Sequence, residues 1–193
     1  MVVEYLFIVR HGESEANKKG IDAGPFDYPL TKKGVKEVSF IAKAISKVKV
    51  NAIYSSPVFR AIETAEILAR PYRLKIKALE ELTETKIKPE FLGKKGRHHI
   101  LTTPYAFLET NKELLNRTCK AIDLIKKESE GTVIMVSHGD VITALLENVV
   151  ERRITSEKYY VLHPDTASLS IVDVNNRPFL VLFNYHRKQF ADF

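Results

Sequence analysis

Two stretches of the chain share one layout, and together they restrict the fold more than any other feature. Leu6-Phe7-Ile8-Val9 runs into Arg10-His11-Gly12-Glu13, and Thr132-Val133-Ile134-Met135-Val136-Ser137 runs into His138-Gly139-Asp140. Each apolar run is short, partly β-branched and free of polar interruption, the pattern of a strand covered on both faces. Such strands belong to sheets with helices on either side, where ligands sit at the carboxyl ends of the strands. Both histidines stand at that edge. The second one opens at once into a helical pattern, whose free N–H groups and positive dipole end suit an anion. The bland reading of either histidine alone is a core side chain closing a strand. The repeated layout, with Arg10 adjacent, argues against it.

The rest of the chain alternates between helix and strand signals. Thr31 reads as the N-cap of a helix to about Ser46, with Val35, Val38, Ile41, Ala42 and Ile45 at helical spacing. Ala52-Ile53-Tyr54 reads as a short strand, and Pro57 sits well at the start of a helix that Pro71 ends. Leu74, Ile76 and Ala78 alternate with lysines, as in a half-exposed strand. A helix from Asn111 to Glu128, a strand from Thr132 to Ser137 and a helix from Asp140 to Val150 follow. The strands Leu169–Val174 and Phe179–Phe183 close the chain, joined by a hairpin-like turn at Asn175-Asn176-Arg177. Gly20 to Pro29 is a polar loop. Residues 85–105 hold Pro89, Gly93, Gly96 and Pro104 without a clean period, which suggests a lid or inserted loop. The expectation is an α/β fold: a three-layer α/β/α sandwich with a largely parallel central sheet, as one domain over residues 1–193.

Composition narrows the partners. The chain has 193 residues, 45% hydrophobic and 28% charged, ordinary for a soluble globular protein. Its apolar runs are far too short to cross a bilayer, and it begins directly with a strand-like run rather than a signal peptide. A cytoplasmic protein is expected. The single cysteine, Cys119, forbids an internal disulfide, and its amphipathic helical setting suggests a buried, inert thiol. The net charge of +6 and pI near 9.3 suit an anionic partner. No basic run is interleaved with aromatics, so a small anion is preferred over nucleic acid or a membrane surface. His98 and His99 are adjacent and would diverge on either a strand or a helix, so no metal site is expected. His163-Pro164 and His186 read as structural or exposed, and Thr166-Ala167-Ser168 carries no assigned role. Oligomeric state is left open.

With these residues in place, the sequence resembles the histidine phosphatase superfamily, also called phosphoglycerate-mutase-like, on its phosphatase side. Arg10-His11-Gly12 matches its signature tripeptide, and Glu13-Ser14-Glu15-Ala16-Asn17 its usual continuation. Pro29 to Gly34, "PLTKKG", looks like its Leu-Thr-x-x-Gly segment. "IYSSPVFRAIETAE", Ile53 to Glu66, is similar to the block that carries a second arginine, here Arg60. "VSHGDVI", Val136 to Ile142, matches the last catalytic block. The blocks occur in the family's order and cover most of the chain.

The resemblance implies a phosphoglycerate-mutase-like fold and a metal-independent phosphomonoesterase without a cofactor, acting on a small phosphate ester. His11 would be the nucleophile, forming a phosphohistidine. Arg10, Arg60 and His138 would supply positive charge to the phosphoryl oxygens, with Asn17 and the Gly139 N–H as further ligands. The physical logic stands beside the resemblance. A phosphate ester is anionic, so attack is easier for a neutral nitrogen among cations. A carbonyl on the other ring nitrogen would fix the tautomer. The general acid falls on a Glu or Asp in a Leu-x-Glu context beyond the second arginine. Glu84 is preferred, with Glu81 as the alternative; the stretch that follows, "TKIKPEFLGKKGR", departs from the family pattern. Two other functions share these residues: a cofactor-dependent phosphoglycerate mutase, and a non-catalytic phospholigand-binding domain.

Overall fold

The computed structural model describes residues 2–24, 26–94, 107–150, 162–175 and 177–187. The two apolar runs become the neighbouring strands β1 (Val3–Arg10) and β4 (Gly131–Ser137), paired in parallel with Phe7 opposite Ile134 and Arg10 opposite Ser137. β2 (Ala52–Ser55) lies on the far side of β4, and β3 (Ile76–Ala78) forms the edge beyond it, both parallel. On the other flank β5 (Leu169–Asp173) runs antiparallel to β1, and β6 (Phe179–Tyr185) antiparallel to β5. The order is β3-β2-β4-β1-β5-β6. β5 alone therefore runs against the others. The expected hairpin pairing of the last two strands is present; Asn176 in its turn lies outside the described residues.

Side-chain alternation along the strands builds two cores. Phe7, Val9, Ile53, Ile134 and Val136 point to one face. There they pack with α2 (Lys32–Ile45) and α3 (Phe59–Ala69) through Val38, Ile41, Ala61, Ala65 and Leu68. Leu6, Ile8, Tyr54, Val133 and Met135 point to the other. That face is covered by α4 (Asn111–Glu128) and α5 (Gly139–Val149) through Ile122, Ile125, Ile142 and Leu146. This is the expected three-layer sandwich. Burying both faces of β1 and β4 explains why Leu6–Val9 and Val133–Val136 carry no polar residue.

Helix starts follow their caps. Thr31 caps α2 by accepting from the Gly34 N–H, and Thr110 caps α4 in a capping box with Glu113. A short helix was not foreseen: α1 (Glu15–Lys19) starts at Ser14, which forms a capping box with Asn17, and ends at Gly20 with φ 64°. Val35, expected on the buried face of α2, is 41% exposed. The buried stripe runs through Gly34, Glu37, Val38, Ile41, Ala42 and Ile45, so Val35 falls one step off it. Cys119, expected to be buried, is half-buried; burial and the charge of Asp123 still raise its thiol pKa. Of the irregular segment, residues 85–94 are described and include a 3-10 turn at Pro89–Phe91. Residues 95–106, with His98 and His99, lie outside the described part.

α2 touches β1's outgoing loop at Gly34. A Cβ there would clash with the Glu13 carbonyl oxygen and come within 2.8 Å of the Glu13 nitrogen. Alanine normally gains about 1 kcal/mol over glycine inside a helix. Backbone in the way reverses the sign, because overpacking typically costs about 1–3 kcal/mol. Gly34→Ala is therefore expected to lower stability by a net of up to ~2 kcal/mol in urea denaturation. A stability equal to or above the parent's would show that the loop can yield.

Candidate active site

β1, β4 and the loop after β2 all end on one edge of the sheet, and the expected site residues collect there. The backbone keeps the parallel ladder going one step past the strands. The His11 N–H donates to the Ser137 carbonyl at 3.0 Å, and the Arg10 N–H to the Ser168 carbonyl at 3.1 Å. The Ala167 N–H donates to the His11 carbonyl at 3.0 Å. The Thr166–Ser168 stretch, which the sequence left without a role, is thus the brace on the other side of Arg10-His11.

His11 is 2% exposed. Its Nδ1 lies 2.8 Å from its neighbour Gly12's carbonyl oxygen, to which it donates. Its Nε2 receives the Arg60 Nε–H at 3.2 Å. A guanidinium only donates, so Nε2 carries a lone pair and the ring is neutral with its proton on Nδ1. His138 is held in the same manner. Arg60 Nη2 lies 3.3 Å from its Nδ1, and its Nε2 donates to Ser56 Oγ at 2.8 Å. The two rings meet edge to face with centroids 5.1 Å apart.

Complete burial comes first, and the charges of Arg60, Arg10 and Arg117 add to it, holding the His138 pKa well below its ordinary value. The expectation that His138 brings positive charge is corrected for the unliganded site. It is a neutral ring behind His11, and the cations are Arg10 and Arg60. Arg60 is anchored by donating to the carbonyls of Gly24 and Phe26 at 3.1 and 3.3 Å. Arg10 donates to the Pro164 carbonyl at 2.6 Å and to His163 Nε2 at 3.1 Å. His163 is thus structural, as a direct partner of the arginine.

A cleft of about 330 Å³ opens onto this edge, lined by Arg10, His11, Asn17, Arg60, Glu84 and the loop Ile21–Gly24. Asn17 Oδ1 accepts from the Ser14 N–H at 3.1 Å, which fixes the amide and leaves Nδ2 as its donor. Glu84 places one carboxylate oxygen on the Thr85 N–H at 3.0 Å and the other 3.9 Å from His138 Nδ1. Glu81 does not line the cleft; its carbonyl accepts from Arg117 at 2.7 Å. His138 and Gly139 also stand behind the lining.

The two glycines make room for protein rather than for ligand. A Cβ on Gly12 would come within 2.8 Å of Val38 Cγ2, and one on Gly139 within 2.6 Å of His163 Cε1. Sequence reasoning missed Ser56, Thr64 and Arg117; His163, read as structural or exposed, is structural. Thr64 accepts the Gly12 N–H at 3.1 Å and donates to the Arg60 carbonyl at 2.8 Å, so it ties α3 to the loop after His11. Its place one turn after Arg60 was the available signal.

The profile of the histidine phosphatase superfamily (branch 1) matches residues 6–185. The chain belongs to that superfamily. Within it, a 2,3-bisphosphoglycerate-dependent phosphoglycerate mutase from Thermoplasma acidophilum is 30% identical over 177 residues, covering 86% of each chain. Among solved structures, phosphoserine phosphatase from Entamoeba histolytica in complex with 3-phosphoglyceric acid superposes with a TM-score of 0.78. It is 23% identical, with 95% of this chain and 98% of that one covered. A mycobacterial glucosyl-3-phosphoglycerate phosphatase complexed with VO3 gives a TM-score of 0.80. It is 20% identical, with 94% and 99% covered. These two structures carry the superfamily's fold. Among the described residues, no helix is long and apolar enough to cross a membrane.

The neutral state of His138 has a sign that can be checked. Below its ordinary pKa of about 6.5 the unfolded chain takes up a proton that the folded ring refuses. The associated stability is complete above that pH and is lost as pH falls toward the depressed folded value, at no more than about 1.4 kcal/mol per pH unit. Urea denaturation at pH 7.5 and 5.5 should show the wild type losing roughly 1 kcal/mol more than His138→Gln. Parallel pH responses would rule out a buried neutral ring.

Proposed function

We propose that the chain is a metal-independent phosphomonoesterase that works through a phosphohistidine on His11. The observation that carries this reading is the state of His11, neutral and proton-fixed on Nδ1 by the Gly12 carbonyl, with Nε2 turned to a cleft that two arginines line. A small phosphate ester entering the cleft takes N–H bonds from Arg10 and Arg60. Arg60 Nε leaves His11 Nε2 for a phosphoryl oxygen, and the freed lone pair attacks phosphorus. The bond to the ester oxygen breaks, and Glu84, entering protonated, gives its proton to the leaving alcohol. Glu84, now a carboxylate, takes a proton from a water whose oxygen attacks phosphorus. The P–N bond breaks, phosphate leaves, and His11 returns to its neutral form. Asn17 Nδ2 supports the phosphoryl group from the cleft wall, and the Gly139 N–H is a further donor in this reading. The same set of residues suits a site in the cytoplasm with no cofactor.

A second reading has its own support. The mutase from Thermoplasma acidophilum is as long as the match allows, since the aligned stretch is 86% of it as well. Chain length therefore does not separate hydrolysis from transfer back to a second hydroxyl. The two readings share their residues and differ in the acceptor, water or a substrate hydroxyl, and in the phosphoryl donor that a cofactor-dependent mutase needs. In the third, non-catalytic reading, phosphate binds without turnover.

The test is turnover of p-nitrophenyl phosphate in EDTA. The wild type is expected to release p-nitrophenol, and His11→Ala to fall by at least about 10⁴-fold. Isomerisation of 3-phosphoglycerate, run in parallel, reports the mutase. Isomerisation without hydrolysis would replace the proposed activity with the second reading, and phosphate binding with neither would leave the third.

A further inference from the structure

Glu84 sits on an irregular stretch, Glu81 to Lys86, that no long helix or strand supports. It is nevertheless pinned at the carbonyls of Glu81, Leu82 and Glu84. Arg117, from the middle of α4, donates Nη1–H to the Glu81 carbonyl at 2.7 Å and Nη2–H to the Glu84 carbonyl at 3.4 Å. The same guanidinium forks onto Glu109, with Nε to one carboxylate oxygen at 2.8 Å and Nη2 to the other at 2.7 Å. Glu109 in turn accepts the Lys86 N–H at 3.0 Å. Between these points Ser137 Oγ, one residue before His138, donates to the Leu82 carbonyl at 2.7 Å, and Leu82 is fully buried. The side chains of Arg117 and Glu109 are only 16% and 9% exposed, so the fork is shielded from water and its geometry is kept.

We propose that Arg117, oriented by Glu109, is a positioning residue that sets the place of the Glu84 carboxyl against the leaving oxygen. The inference rests on the phosphatase reading, in which Glu84 is the general acid. A planar fork is what this task needs. It reaches two carbonyls three residues apart while its remaining edge is locked by a carboxylate, which a lysine cannot copy. A group that only joins α4 to a loop would affect every substrate equally. In the first step, which kcat/KM reports up to departure of the alcohol, a group that aims an acid matters only when the leaving oxygen needs its proton. The second step, in which Glu84 takes a proton from water, is the same for every ester.

The experiment compares phenyl phosphate with p-nitrophenyl phosphate, which have nearly the same shape. p-Nitrophenolate leaves as a stable anion, whereas phenolate needs protonation. Arg117→Met and Arg117→Lys are expected to lower kcat/KM on phenyl phosphate by about 10- to 100-fold, with kcat/KM on p-nitrophenyl phosphate changed by less than about threefold. Glu109→Gln keeps the shape of the fork's partner and serves if the arginine variants do not fold; it should show the same bias at smaller size. In a Glu84→Gln background, Arg117→Met should cost less than about a further twofold, because the two act through one group. Equal losses on both esters, or a full further loss in the double variant, would overturn the positioning role while leaving the phosphatase intact. A wild type that hydrolyses neither ester would overturn the phosphatase reading and this inference with it.

Discussion

One guanidinium sets the state of the whole site. Arg60 donates to His11 and to His138 from two of its nitrogens, and it cannot accept a hydrogen bond. Both rings must therefore present a lone pair to it and hold their single proton on the far side. The Gly12 carbonyl and the Ser56 hydroxyl are there to receive those protons. Two imidazoles can be buried at the end of a sheet because neither is charged. The positive charge of the cluster is left to Arg10 and Arg60, which are fastened to backbone carbonyls of the flanking loops. The site is a cationic socket around two neutral rings, held in place by backbone carbonyls and one hydroxyl.

The architecture was largely legible in the sequence because its signals are local. Both faces of β1 and β4 are covered, so unbroken apolar runs had to mark them. α4 has a capping box at Thr110 and a stop before Ser129, so its limits fall where the pattern placed them. Arg10, His11 and Arg60 were legible because each stands directly at the end of a strand or the start of a helix, and the geometry of those ends leaves little freedom. Val35 went astray by one residue because a helix stripe is narrower than a list of apolar side chains suggests. α1 was missed because five residues are too few to show a period.

What the sequence could not show are contacts that depend on where loops end up. Glu84 and Glu81 have the same local context, and only the course of the 3-10 turn at Glu80–Leu82 sends one carboxylate into the cleft and the other away. His163 and Arg117 each serve a residue far along the chain, so no window of sequence contains both partners. The charge of His138 was misjudged for a related reason. A strand-end histidine next to arginines looks like a third cation on paper, yet complete burial and those same arginines make protonation costly. The glycine after each histidine is required by the protein's own packing, since Val38 and His163 occupy the space a Cβ would take.

The strand order has a consequence for how the molecule comes into being. β1 and β2 follow one another along the chain but never touch; β4, made much later, is inserted between them. Arg60 meets His138 across 78 positions, and Arg10 meets Pro164 across 154. No fragment released early in synthesis can contain a working socket, and pairing of this kind is intrinsically slow because long loops must close first. The edge that gathers Arg10, Arg60 and the two histidines therefore exists only in the finished sheet. A bound anion at that edge would stabilise the completed chain and none of its predecessors, so ligand concentration sets how far the last step of folding is drawn to its end.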